Sequence, residues 1–223
     1  MTEQHFFEIK QADPKGLGAY ATSPIKPGTL LLAESPLLSI NTDYYFESDI
    51  EALFAALPLS KQEIYLSLSS AHGQPHDWYP SKIHPAVSEE ERKRIKEQHA
   101  ARTGKEKSVL SVFMTNAMDM GEGAAVFERA SRFNHCCVPN ACFAWNEKLG
   151  VETIYAIKEI EPGEVCQALG SNWMVISQGV RFRIRAVMFL QAGFRSACSG
   201  RWLLELKLTV HADARPMLML LVF

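Results

Sequence analysis

Two kinds of hydrophobic pattern alternate along this chain of 223 residues. Strand-type residues occur in short runs between turn residues in the first 40 positions, and this character returns after Gly121. Residues 6–10 (FFEIK) predict one strand. Residues 140–146 (NACFAWN) and 151–160 (VETIYAIKEI) predict two more, joined by a turn over 147–150.

Between these regions the period becomes helical. Ile50, Leu53, Phe54 and Leu57 follow the i, i+3, i+4, i+7 spacing of one helix face. Ser60 with Glu63, and Ser88 with Glu91, have capping-box spacing, which predicts two further helix starts. The stretch 88–102 has few apolar residues, so we expect it to be solvated on most sides. Residues 108–118 predict a fourth, more buried helix.

The order of these elements predicts an α+β fold, in which a helical insertion over residues 43–120 interrupts a β-rich frame. The size fits one domain, or one domain with an attached segment. A formal net charge of −2 argues against direct nucleic-acid binding. The N-terminus lacks a signal-peptide pattern, and no apolar run reaches membrane-span length. With five cysteines and no export signal, we expect reduced thiols and a location in the nucleus or cytoplasm.

The densest group of chemically active residues is "SRFNHCCVPNACFAW", residues 131–145. Its three cysteines lack C-x-x-C spacing, and no second cysteine pair exists elsewhere, so we expect no bound metal. His135 and Cys136 are sequence neighbours, which rarely form a nucleophile–base pair. The remaining interpretation is a bend in which the cysteines serve as small buried side chains.

This stretch resembles the N-H-S-C-x-P-N signature of SET-domain protein methyltransferases, with Cys136 where serine is usual. Residues 15–31 (KGLGAYATSPIKPGTLL) are similar to the family's first G-x-G motif, and residues 151–164 resemble the strand and turn before its catalytic segment. "FMTNAM" resembles the helix end in members that have a helical insertion and no MYND finger. The four matches occur in family order.

The resemblance implies a β-clip-like SET fold with a threaded C-terminal part, and S-adenosylmethionine as cofactor. It also implies transfer of a methyl group to a lysine amine of a protein substrate, histone or other. The residues that it places at the cofactor are Lys15, Gly16, Gly18, Asn116, Asn134 and His135. Each has a plainer interpretation: an ordinary turn for the glycines, a surface lysine, a helix C-cap for Asn116, and internally bonded polar residues for Asn134 and His135. Pro139 and Asn140 are predicted to be structural.

The resemblance ends after Glu164. The family continues with a strand that carries a substrate-orienting tyrosine and, in some members, a zinc-binding cysteine cluster. Here no tyrosine follows Tyr155, and the cluster is missing. We therefore predict a SET domain over residues 1–164, incomplete at its C-terminal end, and an atypical tail over 165–223. The tail is rich in arginine, which favours either a divergent subdomain or an altered reading frame or retained intron; Val165–Cys166 can be encoded as GTATGT, an intron-donor sequence.

Two functions stay open on this basis. One is a lysine methyltransferase that is impaired because the tyrosine strand is absent. The other is a non-catalytic SET-like module that binds a cofactor or a protein. No residue is assigned as catalytic.

Overall fold

The computed structural model describes residues 6–12, 16–75, 83, 85–136, 138–169, 203–206 and 219–222. The chain begins with two strands, β1 (Phe7–Gln11) and β2 (Leu17–Ala21), which form an antiparallel hairpin. Two more strands follow, β3 (Leu30–Glu34) and β4 (Leu38–Ile40). The strand predicted from "FFEIK" is confirmed.

Four helices follow: α1 (Glu47–Ala55), α2 (Leu59–Ser67), α3 (Glu89–Thr103) and α4 (Val109–Asn116). The predicted apolar face of α1 is confirmed, because Ile50 is fully buried and Leu53, Phe54 and Leu57 pack around the same cluster. α4 is buried, as predicted, and the hydroxyl of Ser108 accepts the backbone N–H of Ser111 at its start.

Two details of the helices differ from prediction. α2 begins at Leu59 after Pro58, so Ser60 lies inside its first turn and is not the cap. Pro58 suits the boundary because a proline restricts its own φ angle and lacks an N–H. In α3 the Ser88 hydroxyl does cap the helix by accepting the N–H of Glu91, but Arg94 is buried. Arg94 is covered because its guanidinium lies over the Tyr44 ring, 4.9 Å from the centroid.

The second β-rich part contains β5 (Met118–Asp119), β6 (Ala124–Val126), a 3-10 turn (Ala130–Arg132), β7 (Ala141–Asn146), β8 (Val151–Ala156) and β9 (Ala168–Leu169). One sheet has the order β4-β6-β5 and another has the order β3-β8-β7-β9. β7 and β8 form the predicted hairpin, with Ala141 opposite Ala156. β9 runs parallel to β7, so the chain after Glu164 returns to the sheet.

Two apolar clusters stabilise this part of the chain. One lies among the strands and contains Phe7, Ile25, Phe127 and Ile154. The other joins the insertion to β4 and β6, and Tyr65 and Phe113 are its largest fully buried members. The α+β class with a helical insertion in a β-rich frame is therefore confirmed.

The chain divides into two compact units, residues 1–184 and 185–223. In the second unit, β10 (Leu203–Leu206) pairs antiparallel with β11 (Met219–Val222). None of the helices in the described part of the chain has the length and apolar character of a membrane span.

Candidate cofactor-binding site

Gly18 and Asn134, 116 positions apart in sequence, lie against each other in the structure. The side-chain amide of Asn134 donates to the carbonyl of Leu17 at 3.2 Å. A Cβ atom at position 18 would lie 2.9 Å from Asn134 Nδ2 and 2.9 Å from the Cβ of Ala12. Such contacts are too short, so the close approach of β2 to the Asn134 bend requires glycine.

Gly16 forms the turn before β2 in the left-handed backbone region, with φ of +75°. The Ser69 hydroxyl lies 3.9 Å from the position that a Cβ of residue 16 would occupy. The segment after α2 therefore borders the glycine turn. Lys15, the predicted cation at this turn, lies outside the described residues.

Asn116 is the last residue of α4 and is only 8% exposed. Its Nδ2 donates to the carbonyls of Ser69, at 2.7 Å, and Val112, at 2.8 Å. Both amide hydrogens are thus bound within the protein, and one of them holds the segment beside Gly16. The structure therefore places Asn116 behind the glycine turn, with Ser69 between them.

Other polar groups of α4 hold the same segment. The Thr115 hydroxyl accepts the N–H of Ala71 at 2.9 Å, and Ser70 Oγ donates to Ser111 Oγ at 2.7 Å. The sequence pattern predicts a loop over residues 69–85 and does not indicate this attachment. The signal lay in the polar residues Ser111, Thr115 and Asn116 on one side of an otherwise apolar helix.

His135 has an exposed side chain, and its backbone forms a parallel bridge with Ala168. Ala168 N donates to Asn134 O, and Cys136 N donates to Ala168 O, both at 3.1 Å. The backbone of the bend is therefore fixed by β9, whereas the imidazole of His135 faces solvent. Strand β9 lies where the sequence predicted a missing strand, and residues 165–169 fill that position because Cys166 and Ala168 are small and apolar enough to be buried there.

Asn140 attaches the same returning segment from the other side. Its Nδ2 donates to Val165 O at 2.9 Å and to Glu164 Oε1 at 3.2 Å, and its Oδ1 accepts the N–H of Gln167 at 2.7 Å. Asn140 is 8% exposed. The predicted structural role of Asn140 is confirmed by these bonds.

A half-buried carboxylate supports the entry to the bend. Glu34 accepts the backbone N–H groups of Glu128, Arg129 and Ala130 at the start of the 3-10 turn. Burial raises the pKa of the Glu34 carboxyl, and these three hydrogen bonds oppose that rise. Glu34 thus fixes the path of the chain shortly before Asn134.

The thiols Cys136, Cys142 and Cys166 are free. Burial raises the pKa of the Cys142 thiol and that of Cys166, the latter to about 11, so these groups are protonated at neutral pH. Within the described parts of the chain, no group of three His, Cys, Asp or Glu residues has metal-binding geometry.

The SET domain family model matches residues 16–164, well over half of the chain. The chain belongs to the SET domain family. The match begins at the glycine turn and ends at the residue that Asn140 binds, so both halves of the site lie inside it. The family of SET-domain methyltransferases generally uses S-adenosylmethionine.

Two related proteins show the extent of the similarity. The chain is 27% identical over 214 residues to histone-lysine N-methyltransferase set5 of Schizosaccharomyces pombe, which covers 96% of this chain and 56% of set5. It is 25% identical over 202 residues to protein L678 of Acanthamoeba polyphaga mimivirus, whose name assigns it a SET domain, covering 82% of this chain and 72% of L678. The chain thus spans little more than half the length of set5.

Among solved structures, protein PFL0690c of Plasmodium falciparum, named as a histone methyltransferase, is similar with a TM-score of 0.41 and 12% identity. The similarity covers 77% of this chain and 98% of that structure.

Proposed function

We propose that this chain binds S-adenosylmethionine and is a SET-domain protein-lysine N-methyltransferase whose transfer step is impaired. The observation that carries the proposal is the contact between Gly18 and Asn134. It joins the two motifs that the family uses for its cofactor, and it leaves no room for a side chain on the glycine. Such a glycine allows the backbone to approach a bound molecule closely.

Each of the predicted residues has a proposed role at this site. The turn of Gly16 and Gly18 presents backbone groups, Asn134 presents its carboxamide oxygen, and the His135 segment presents its backbone. Lys15 supplies a positive charge for the cofactor carboxylate. Asn116 acts through Ser69, since its amide hydrogens are bound to protein carbonyls.

S-adenosylmethionine, when bound, supplies a methyl group on a positively charged sulfur for an in-line displacement. The protein has to align the neutral lysine nitrogen with that methyl group and to let the amine lose its proton. The family uses a tyrosine on the strand that follows the turn at Glu164 for this alignment, and no tyrosine follows Tyr155 here. We therefore propose weak transfer even if the cofactor is bound.

The proposed substrate is a lysine of a protein. The name of set5 favours a histone, and a histone or other nuclear or cytoplasmic protein fits the proposal. The net charge of −2 offers no general attraction to nucleic acid, so the proposed partner is a protein.

A second candidate is a SET-like module that binds the cofactor or a protein and transfers nothing. The missing tyrosine favours it. The two candidates share the cofactor site and differ only in the transfer step.

Titration calorimetry with S-adenosylmethionine tests the site. Asn134→Ala should weaken binding by ~1–3 kcal/mol, because a hydrogen-bonding group of the cofactor is left unpaired. Asn146→Ala is the matched control, since Asn146 lies at the β7–β8 turn, where its Oδ1 accepts the N–H of Leu149. Equal affinity of the unchanged chain and Asn134→Ala would remove Asn134 from the site.

Transfer of a labelled methyl group to histones then separates the two candidates. Slow but measurable labelling of lysine supports the methyltransferase. Cofactor binding with no labelling supports the module.

A further inference from the structure

Two positively charged side chains converge on the C-terminal end of α2. Lys107 Nζ donates to the carbonyls of Leu66 and Leu68, both at 2.7 Å. Arg132 Nη2 donates to Ser67 Oγ at 2.9 Å and to Ser67 O at 3.4 Å. Cations at this end of a helix satisfy carbonyls that have no partner in the helix and interact favourably with its dipole.

Arg132 and Lys107 bind the same end of α2, but they link it to different parts of the chain. Lys107 belongs to the helical insertion, as α2 does. Arg132 closes the 3-10 turn and lies two residues before Asn134. Its bond to Ser67 is therefore a link between the insertion and the bend that carries Asn134.

Ser67 is well suited to receive this bond. Its hydroxyl donates to the carbonyl of Ile64 at 2.6 Å, so its lone pairs remain available to the Arg132 guanidinium. Ser67 lies two residues before Ser69, whose hydroxyl is next to the Gly16 turn and whose carbonyl is held by Asn116.

These contacts form a closed sequence of four segments. Asn134 binds the carbonyl of Leu17 beside Gly18, and Arg132 binds Ser67. Ser69 then returns to the turn at Gly16, which precedes Leu17. We call this set of segments the ring: residues 16–18, 67–69, 116 and 132–134. Three steps across the ring are hydrogen bonds, whereas Ser69 and Gly16 are near neighbours, with Ser69 Oγ 3.9 Å from the position that a Cβ of residue 16 would occupy. We therefore expect a change at one step to alter the spacing at the others.

We infer that Arg132 is a positioning residue for the cofactor site, acting through Ser67 to set the distance between the Gly16 turn and Asn134. Arg132 touches no reacting atom in this scheme. The inference rests on the proposed function, because it assigns the ring to the cofactor. Burial lowers the pKa of Arg132. Burial lowers the pKa of Lys107 as well, and the nearby charge of Arg132 adds to that shift, as expected for two cations held close together.

The test measures binding of S-adenosylmethionine by calorimetry to the unchanged chain and to R132Q, R132K, S67A and R132Q/S67A. R132Q should bind roughly tenfold more weakly, the loss expected when one charge-assisted hydrogen bond is removed. R132K should recover part of the affinity, since an ammonium group can still donate to Ser67 Oγ. The double variant should bind no more weakly than R132Q, because both changes remove the same contact.

R92Q is the matched control. Arg92 forms a comparable arginine contact, to Glu89 on α3 at 3.2 Å, outside the ring. R92Q should keep the affinity of the unchanged chain. Amide hydrogen exchange adds a readout without cofactor: R132Q and S67A should speed exchange in residues 67–71, and R92Q should not.

Four results would overturn the inference. These are unchanged affinity in R132Q, additive losses in the double variant, no recovery in R132K, or an equal loss in R92Q. If R132Q does not fold, R132K and S67A decide, because unchanged affinity in both excludes the link. If the unchanged chain binds no S-adenosylmethionine, the proposed function itself is wrong and the inference fails with it, a result that differs from binding that Arg132 does not influence.

Discussion

At the scale of the residue, Gly18 shows how one absent methyl group determines a contact between distant motifs. Gly18→Ala would place a Cβ 2.9 Å from both Asn134 Nδ2 and Ala12 Cβ. We expect the substitution to lower the free energy of unfolding by ~1–3 kcal/mol, the range for overpacking, and to weaken binding of S-adenosylmethionine. Urea denaturation and calorimetry measure the two effects.

Gly150→Ala is the control for Gly18→Ala. Gly150 has φ of +64°, and nothing lies within 4 Å of its Cβ position. Alanine there should cost ~1–2 kcal/mol through backbone strain and leave cofactor affinity unchanged. If both variants lose stability and neither loses affinity, the Gly18 contact serves the fold alone.

Glu152 is a residue whose behaviour the sequence did not predict. It lies on β8, is 1% exposed, and its Oε1 has no hydrogen-bond partner within the described part of the chain. Burial raises the pKa of Glu152 to about 8, Asp119 adds to the rise, and backbone hydrogen bonds from Ala144 and Thr153 oppose it. The folded protein therefore keeps this carboxyl protonated at neutral pH.

The raised pKa of Glu152 makes stability depend on pH. An unfolded chain releases this proton near pH 4.5, whereas the folded protein holds it up to about pH 8. Between these values the folded state binds more protons, so the free energy of unfolding falls as pH rises, by at most ~1.4 kcal/mol per pH unit. Below about pH 4.5 both the folded and the unfolded state bind this proton, and the contribution of Glu152 to the free energy of unfolding is fully present. Above about pH 8 both states have released the proton, and the free energy of unfolding stops falling on account of Glu152.

Glu152→Gln should remove this dependence. Urea denaturation at pH 5, 7 and 9 should show similar stability of the two proteins at pH 5 and a growing advantage of the variant at higher pH. Glu159→Gln, at an exposed position, controls for the loss of a carboxyl. A constant difference between Glu152→Gln and the unchanged chain across this range would contradict the assigned titration.

At the scale of the element, the local sequence pattern correctly predicted the helices and strands that depend only on residues close together in sequence. The apolar spacing of α1, the buried α4 and the β7–β8 hairpin all follow from short stretches, and all three are confirmed. α2 starts two residues earlier than predicted, because Pro58 and not Ser60 occupies the cap position. The burial of Arg94 was missed because it depends on Tyr44, 50 positions away, and not on the polarity of α3 itself.

In the candidate site, too, some contacts could be predicted from the sequence and others could not. The contact of Gly18 with Asn134 agrees with motifs that could be read directly. The contact of Arg132 with Ser67 joins positions 65 apart, neither of which belongs to a recognised motif. The strand β9 was not predicted because its sequence lacks the family tyrosine, although its backbone pairing requires only small, apolar side chains at Cys166 and Ala168.

The attachment of β9 depends on the Asn140 side chain. Asn140→Ala removes two donated hydrogen bonds and one accepted from Gln167, and should lower the free energy of unfolding by ~2–4 kcal/mol, since the groups left behind are partly buried. Asn140→Asp keeps the acceptor for Gln167 but faces the Val165 carbonyl with an oxygen. It should lose nearly as much stability, and urea denaturation gives both values. A variant as stable as the unchanged chain would show that β9 is held by its strand pairing alone.

At the scale of the whole molecule, the family model and the similarity to set5 extend to different points along the chain. The family model ends at residue 164, whereas the similarity to set5 extends over 96% of the chain and therefore includes most of the tail. A divergent C-terminal subdomain and an altered reading frame or retained intron both stay predictions for the tail. The missing tyrosine is the physical reason to expect weak transfer, because the strand pairing of β9 does not supply a group that orients the substrate amine.

A chimera isolates this deficit. Residues after Glu164 would be replaced by a segment that carries the family's tyrosine strand, and labelled methyl transfer to histones would be compared with the unchanged chain under saturating S-adenosylmethionine. If the site is intact and only the alignment of the substrate amine is deficient, both proteins should bind the cofactor with similar affinity. The chimera should then transfer at least tenfold faster, a modest share of what alignment of reacting groups can contribute. Substituting tyrosine by phenylalanine throughout the introduced segment is the control, and it should return the rate to that of the unchanged chain. Equal rates of the unchanged chain and the chimera, together with tight cofactor binding by both, would show that the tail already aligns the amine without a tyrosine.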